Sequence, residues 1–325
     1  MSLAARRLGT ILPEQHRTEW IIAQRPPRTV QDPFKPHGFF LEEERSASRT
    51  VVQSGTILLT NKECPWHCLM CDLWKTTLTH TVPRGAIPRQ IEYALEQFGS
   101  RPEQLKLYNG GSFFDPAAIP PADYAEIARK VSFAQHIIVE SHPRLIGKRM
   151  LRFRDLLEGS LEVGMGLETV HPEILPRLNK NFTLTHFAQA AQFLRREGIG
   201  VRAFVLVKTP FVTEAEGLEW AVKSAQFAFG CGATVTALIP TRGGNGAMER
   251  LKENGEFAPP RLTTLEKALE AAVQLRAGRV FADTWNLELF SSCGLCLDER
   301  RQRLHVMNLT QRILPPVRCT ACGNA

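Results

Sequence analysis

From residue 55 onward, short apolar runs alternate with stretches whose apolar positions recur every three to four residues, the pattern of repeating βα units. The runs predict strands at 55–60, 105–109, 136–140, 161–166, 201–207 and 234–239. Over 184–197, Leu184, Phe187, Ala188, Ala191 and Leu194 fall at helical spacing, and Gly198 stops the helix. A second helix runs from about Glu214 to Phe229. Thr213 opens it with Glu216 three residues later, and Gly230 closes it. Six such units give an α/β fold, an incomplete (β/α)6 barrel of TIM type. Val280-Phe281-Ala282 offers one more strand toward an eight-stranded closure.

The pattern fails at both ends. Residues 1–50 are rich in proline and arginine (Arg25-Pro-Pro-Arg28, Asp32-Pro-Phe-Lys-Pro36) and show no sustained period, so they read as an irregular arm wrapping the barrel. The acidic run Glu42-Glu43-Glu44 reads as a solvated turn. After residue 250 a helix is expected at 263–276, followed by a cysteine-rich ending. The division is an arm over 1–50, a core barrel over 51–250 and a C-terminal helix with a thiolate module over 251–325.

Composition narrows the class. Of 325 residues, 43% are hydrophobic and 22% charged, ordinary values for a globular enzyme. No apolar run reaches the length of a bilayer span, and Met1 to Leu8 lack a signal-peptide core, so a cytoplasmic protein without membrane contact is expected. Eight cysteines without an export signal point to metal ligation rather than disulfides, and seven of them fall into two clusters. Cys231 stands apart between two glycines and reads as a core residue. The net charge of +7, with local concentrations at Arg6-Arg7, Arg25 to Arg28 and Arg300 to Arg303, gives mild support for a polyanionic partner.

The first cluster is Cys64-Pro-Trp-His-Cys68-Leu-Met-Cys71. Its spacing supplies three thiolates on one tight loop. A four-iron cluster has four corners, so three protein thiolates leave one iron open to a small molecule, whereas structural zinc takes four ligands. The loop leaves the C-terminal end of the strand Gly55 to Asn61, where an α/β barrel puts its chemistry. The second cluster, Cys293-Gly-Leu-Cys296 and Cys319-Thr-Ala-Cys322-Gly323, pairs two C-x2-C knuckles 22 residues apart. That spacing favours zinc over an auxiliary iron–sulfur cluster, although both metals accept four thiolates.

Other strand tips carry polar or glycine-rich groups: Asn109-Gly110-Gly111-Ser112, Glu140 with Arg144, Glu168, and Arg242-Gly-Gly-Asn-Gly246. Read alone, the first is a turn, the second an ion pair across the barrel rim, and the last a nest for an anion or a plain connector.

Together with the cysteine loop, the stretches Lys106 to Asp115, Glu140 to Arg144, Gly164 to Glu168 and Val201 to Phe211 resemble the radical S-adenosylmethionine (SAM) enzymes over roughly residues 50–250. Within that superfamily they are most similar to the branch containing the radical SAM subunit of archaeosine synthase, a tRNA-modifying enzyme. The resemblance implies a 4Fe-4S cluster on Cys64, Cys68 and Cys71, with SAM chelating the open iron. One-electron reduction would cleave SAM to methionine and a 5′-deoxyadenosyl radical that abstracts hydrogen from substrate. It implies that Asn109, Gly110, Gly111 and Ser112 meet the methionine ammonium, that Glu140 holds the ribose hydroxyls and that Arg144 meets the carboxylate. Glu168 becomes a SAM or substrate contact, and Val205 to Val207 the strand whose backbone brackets adenine, with Lys208 at its tip.

Two positions depart from the family pattern. Ser112 stands where the superfamily often has glutamate, though the archaeosine branch is similar to this sequence in having glycine-serine there, and Met70 stands where an aromatic residue often precedes the third cysteine. Trp66 lies two residues after the first. The expected substrate is a tRNA nucleoside or related nucleoside; the alternative is a small-molecule metabolite or natural-product precursor. A reduced flavodoxin or ferredoxin would donate the electron. With no separate tRNA-anchoring domain and no acetyltransferase half in evidence, RNA binding is expected from the chain itself or a tRNA-binding partner subunit. A non-catalytic thiolate-rich scaffold fits less well, because the motifs recur at successive strand ends.

Overall fold

Eight strands form one sheet in the order of the sequence: β1 (Gly38–Arg45), β2 (Val51–Leu59), β3 (Gln104–Asn109), β4 (His136–Glu140), β5 (Ser160–Glu168), β6 (Gly200–Val207), β7 (Val235–Pro240) and β8 (Arg279–Ala282). The computed structural model describes residues 14–322. The Arg6-Arg7 pair, Gly323 and the first part of the expected arm therefore lie outside the described residues. Strands β2 to β8 run parallel, and β1 pairs antiparallel with β2. The six expected strands are β2 to β7, and Val280 to Ala282 lies in β8.

Two expectations at the N-terminal end are corrected. Glu14–Ala23 is a helix, and Gly38–Arg45 is a strand rather than part of an irregular arm. The acidic run is not a solvated turn. On a strand successive side chains alternate faces, so Glu42 and Glu44 point inward while Glu43 is exposed. Glu44 is 6% exposed and pairs with Arg202 at 2.6 Å and Lys106 at 2.5 Å. Arg202 lies on β6, five places from β1 in the sheet, so this contact exists only because the sheet curls into a partial barrel.

The contact belongs to a buried network across the barrel floor. Arg202 also binds Glu162 of β5 at 2.6 Å, and Arg279 of β8 binds the same carboxylate at 3.3 Å. Gln104 of β3 donates to Glu44 and to Ser54 of β2, each at 3.0 Å. Burial works against both carboxylates. For Glu44, Arg202 and Lys106 outweigh it and hold the group far below its ordinary range; for Glu162, Arg202 with His136 and Arg279 brings it down to about 2. The opposite face of the strands is apolar: Leu105, Leu107, Val139, Val163, Val201, Ala203 and Val205 are buried with residues from the helices, such as Phe187 and Leu269.

The helices fall where the periodicity placed them, as Leu184–Arg196, Glu214–Gly230 and Leu262–Gln274. Thr213 accepts from the Glu216 N–H while the Glu216 carboxylate accepts from the Thr213 N–H, the reciprocal cap expected. The sheet does not close by pairing β8 with β1. Instead the helix Leu297–Thr310 and its C-cap residue Gln311 cover the gap. Asn308 exchanges two hydrogen bonds with the Ala282 backbone and Gln311 two with that of Val280, all 2.7–2.8 Å. Arg45 of β1 donates to Leu309 O at 3.0 Å. Side-chain amides thus take the place of the missing strand along an otherwise open edge. No helix among the described residues is long and apolar enough to cross a membrane.

Removing Arg202 leaves two buried carboxylates without their main counter-charge, which typically costs 3–5 kcal/mol. Arg202→Met is expected to lose about that much in urea unfolding at pH 7; a loss under about 1 kcal/mol would contradict the network's role. Because Glu44 and Glu162 have folded pKa values below their ordinary 4.5, their stabilisation is present above pH 4.5 and is lost as pH falls toward 2. The wild-type urea midpoint should drop through that window, and less steeply in the variant.

Candidate active site

The three cysteines lie on the loop after β2, and other strand tips converge on it. A cavity of about 370 Å³ opens there, lined by Cys64, Cys68 and Cys71 with Gly110, Gly111, Glu140, Gly166, Glu168 and Lys180. Trp66, Met70, Phe204, Leu206, Arg242 and Asp283 complete its wall.

Two glycines make the close packing possible. Gly111 has φ +154, and a Cβ there would lie 3.2 Å from the Cys64 Cβ, so its backbone passes directly against the cysteine loop. At Gly166 an added Cβ would occupy the space of the Lys180 ammonium and the Glu168 carboxylate, which form an ion pair. A register shift in β5 between Gly166 and Glu168, with Glu168 at φ +64, turns that carboxylate toward the mouth.

Electrostatics at this mouth are dominated by burial. Burial pushes the thiols of Cys64, Cys68 and Cys71 up to about 12, so without further positive charge they are neutral. For Lys180, burial lowers the pKa, but Glu168 and the sulfurs of Cys68 and Cys71 raise it further, and the group remains an ammonium. Burial likewise raises Glu140 to about 8, against the Asn109 N–H that donates to its Oε1 at 2.7 Å.

The remaining expected residues are placed as follows. Asn109 is buried with its side-chain amide unpartnered and does not line the cavity. Ser112 shares a 2.8 Å hydrogen bond with the Ser141 hydroxyl and accepts from the His142 N–H at 3.0 Å. Arg144 donates to Asn181 O at 3.3 Å; no ion pair with Glu140 forms among the described residues. Val205 turns its side chain into the outer core while Phe204 and Leu206 face the cavity. Lys208 is held by Glu214 at 3.0 Å and by Ala258 O at 2.8 Å. Cys231 packs against the core.

Sequence reasoning missed four residues. Lys180 projects into the mouth from a turn in which Asn179 and Asn181 both have positive φ, 55° and 56°. Asparagine is among the few side chains that adopt this conformation readily, so the Asn-Lys-Asn triplet was the available signal. His142 stacks on Trp66 with centroids 3.8 Å apart and planes 13° from parallel. Burial lowers its pKa to about 4, so the ring is neutral; Nδ1 accepts from the Arg144 N–H, and Nε2–H donates to Lys180 O at 2.9 Å. Asn179 and Asn245 hydrogen-bond to the cysteine loop itself: the Arg242 to Gly246 segment is not a free loop but a buttress.

At the C-terminal end the four expected sulfurs meet. Cys293 and Cys319 are 3.9 Å apart, Cys296 and Cys322 3.8 Å, and all four lie within 4.8 Å of one another. Four thiolates at about 2.3 Å from one tetrahedral ion stand about 3.8 Å apart, so this is single-ion spacing. Among the described residues it is the group that closes to such distances; Cys64, Cys68 and Cys71 do not. A four-iron cluster binds each thiolate to a different iron, which spreads the sulfurs around the cluster rather than drawing them together. The donor set at the mouth therefore fits a multi-iron cluster better than a lone ion.

No protein-family model matches the chain. An uncharacterized protein of Methanocaldococcus jannaschii is 26% identical over 258 residues, 75% of this chain and 71% of that one. The archaeosine synthase subunit beta of Methanosarcina acetivorans is 23% identical over 273 residues, 79% of this chain and 78% of that protein. Among solved structures, archaeal Elp3 from Methanocaldococcus infernus with its N-terminus deleted superposes with a TM-score of 0.51 at 15% identity. The overlap covers 72% of this chain but only 60% of that one, and it is a likeness of fold. Fold, cysteine loop and relatives agree with the resemblance of this chain to the radical SAM enzymes.

Glu140 offers a direct check on the electrostatics. Its folded pKa of about 8 exceeds the ordinary 4.5, so its contribution to stability is fully present below pH 4.5 and is lost as pH rises to about 8. In metal-free protein, Glu140→Gln should therefore gain urea stability over wild type progressively between pH 5 and 8. A pH-independent difference would contradict a desolvated, protonated Glu140.

Proposed function

We propose that this chain is a radical SAM enzyme acting on a nucleoside of tRNA, drawing on a 4Fe-4S cluster at Cys64, Cys68 and Cys71. One observation carries the cluster assignment: three half-buried thiols line a cavity without closing to single-ion distance, and Gly110, Gly111, Glu140, Gly166, Glu168 and Lys180 line it with them. When bound, the cluster and SAM supply one-electron reductive cleavage and a carbon radical able to take hydrogen from a substrate.

The chain's own residues have separable tasks around that chemistry. Gly110 and Gly111 bring backbone against the first cysteine, and Glu140 presents a carboxyl to the cavity from the tip of β4. The Lys180–Glu168 pair keeps one fixed ammonium beside Cys68 and Cys71. That charge favours thiolate over thiol and is available to a carboxylate once it is shared away from Glu168. Phe204, Leu206 and the Trp66–His142 stack supply the apolar wall that excludes water.

The tRNA reading draws on the archaeosine synthase relative, on the basic balance of +7 and on the thiolate module at the rim. Arg242 joins that module to the mouth: it binds Asp283 and Trp285 O, each at 2.7 Å, on the segment leading to Cys293. The designation of that relative as subunit beta favours a partner subunit here as well. A reduced flavodoxin or ferredoxin fits the need for single electrons. At Cys293, Cys296, Cys319 and Cys322 the spacing supports zinc.

Three measurements test this reading. Under anaerobic reducing conditions Cys68→Ala should abolish 5′-deoxyadenosine formation from SAM while Cys231→Ala retains it; equal activity of the Cys68 variant and wild type would refute the assignment. Binding of total tRNA should weaken steeply with added salt, because phosphate contacts release counterions. Salt-insensitive or absent binding would favour a small-molecule substrate. Elemental analysis should find one zinc per chain, lost in a Cys293→Ser, Cys319→Ser double variant without loss of the cluster.

A further inference from the structure

An irregular loop cannot satisfy its own carbonyl groups, and the cysteine loop satisfies three of them with two asparagines from elsewhere in the fold. On one side Asn179, after β5, donates to His67 O at 2.8 Å, and Leu178 O accepts from the Leu69 N–H at 2.9 Å. On the other side Asn245, in the segment after β7, donates to Leu69 O at 2.8 Å and to Cys71 O at 3.1 Å. The Asn245 side-chain oxygen accepts from the Met248 N–H at 2.8 Å, at the start of the helix Ala247–Glu253. Asn245 is 2% exposed, and both amide hydrogens and the oxygen are engaged, so its orientation is determined from each end.

The carbonyls of 67, 69 and 71 are thus held by amide donors. Fixing Cys71 O fixes the backbone of the third cysteine itself, and fixing Leu69 O fixes the turn between the second and the third. Partners that orient metal ligands commonly change metal retention 10- to 100-fold.

The geometry points to Asn245 as a positioning residue for the iron–sulfur cluster of the Cys64, Cys68 and Cys71 loop, acting through Leu69 O and Cys71 O from the opposite end of the parallel sheet. It touches no reacting atom. The inference rests on the cluster reading above and adds what keeps the third cysteine in place before and after loading.

A competing role, capping the helix that starts at Ala247, makes a different forecast. Asn245→Asp keeps an oxygen for the Met248 N–H but loses both donors and sets a carboxylate against two carbonyls. The full chain is reconstituted anaerobically with iron and sulfide, and iron release to a ferrous chelator is followed by absorbance. N245D is expected to release cluster iron about 10- to 100-fold faster than wild type, with an altered electron paramagnetic resonance spectrum of the reduced cluster. Its metal-free urea midpoint should fall, so iron release and the spectrum are compared without denaturant, where circular dichroism shows both proteins fully folded. N245S, which introduces no charge and keeps an oxygen at the cap while losing the amide donors, carries the same comparison should N245D fail to fold. Wild-type retention and spectrum in the variant would overturn the proposal while leaving the cluster reading intact. A wild-type chain that takes up no four-iron cluster would overturn both.

Discussion

Three half-buried thiols crowded beside one ammonium cannot all ionise. Desolvation holds Cys64, Cys68 and Cys71 neutral, and the nearby cation Lys180 is already engaged by Glu168. The triply anionic form becomes favourable only when several cationic charges arrive together, as they do with a metal cluster. The architecture around the trio follows from that constraint. Its neighbours are glycines that let backbone approach, asparagines that hold carbonyls, and aromatic rings that exclude water, rather than a ring of cations that would charge the thiols prematurely.

The two ends of the barrel treat charge in opposite ways. At the floor, Glu44, Glu162, Arg202, Lys106 and Arg279 satisfy one another across the strands, so the base is locked in one geometry. At the mouth, Glu140 has a raised pKa and, among the described residues, no cationic partner within ion-pair distance. A fixed floor lets the strand tips hold such an unbalanced arrangement open, because displacement at the mouth would have to be transmitted through a network that resists it. The helix Leu297–Thr310 serves the same end at the side: its amides grip the β8 backbone and its N-terminal end carries Cys296 of the thiolate module.

Much of this was legible in the sequence because it is written in local periodicity and spacing. Apolar runs gave β2 to β8, reciprocal capping gave the helix after Thr213, and cysteine spacing separated an open trio from a closed quartet. What stayed hidden was carried by partners far apart in the chain. Glu42 to Glu44 looked solvated because nothing local announces Arg202, 158 positions away from Glu44. The glycine-serine motif was legible after β3, but its tie to the next strand, through Ser141, His142 and Glu140, was not. Lys180 and Asn245 sit in short polar connections with no period at all. Their importance comes from where β5 and β7 end relative to β2, a property of the curled sheet rather than of any window of sequence.

Mössbauer spectroscopy of the anaerobically iron-loaded chain tests the central claim most directly. The account predicts a four-iron cluster bound through Cys64, Cys68 and Cys71 in which one iron, and only one, changes its parameters when SAM is added. A single ion held by the three sulfurs, or a cluster indifferent to SAM, would contradict it.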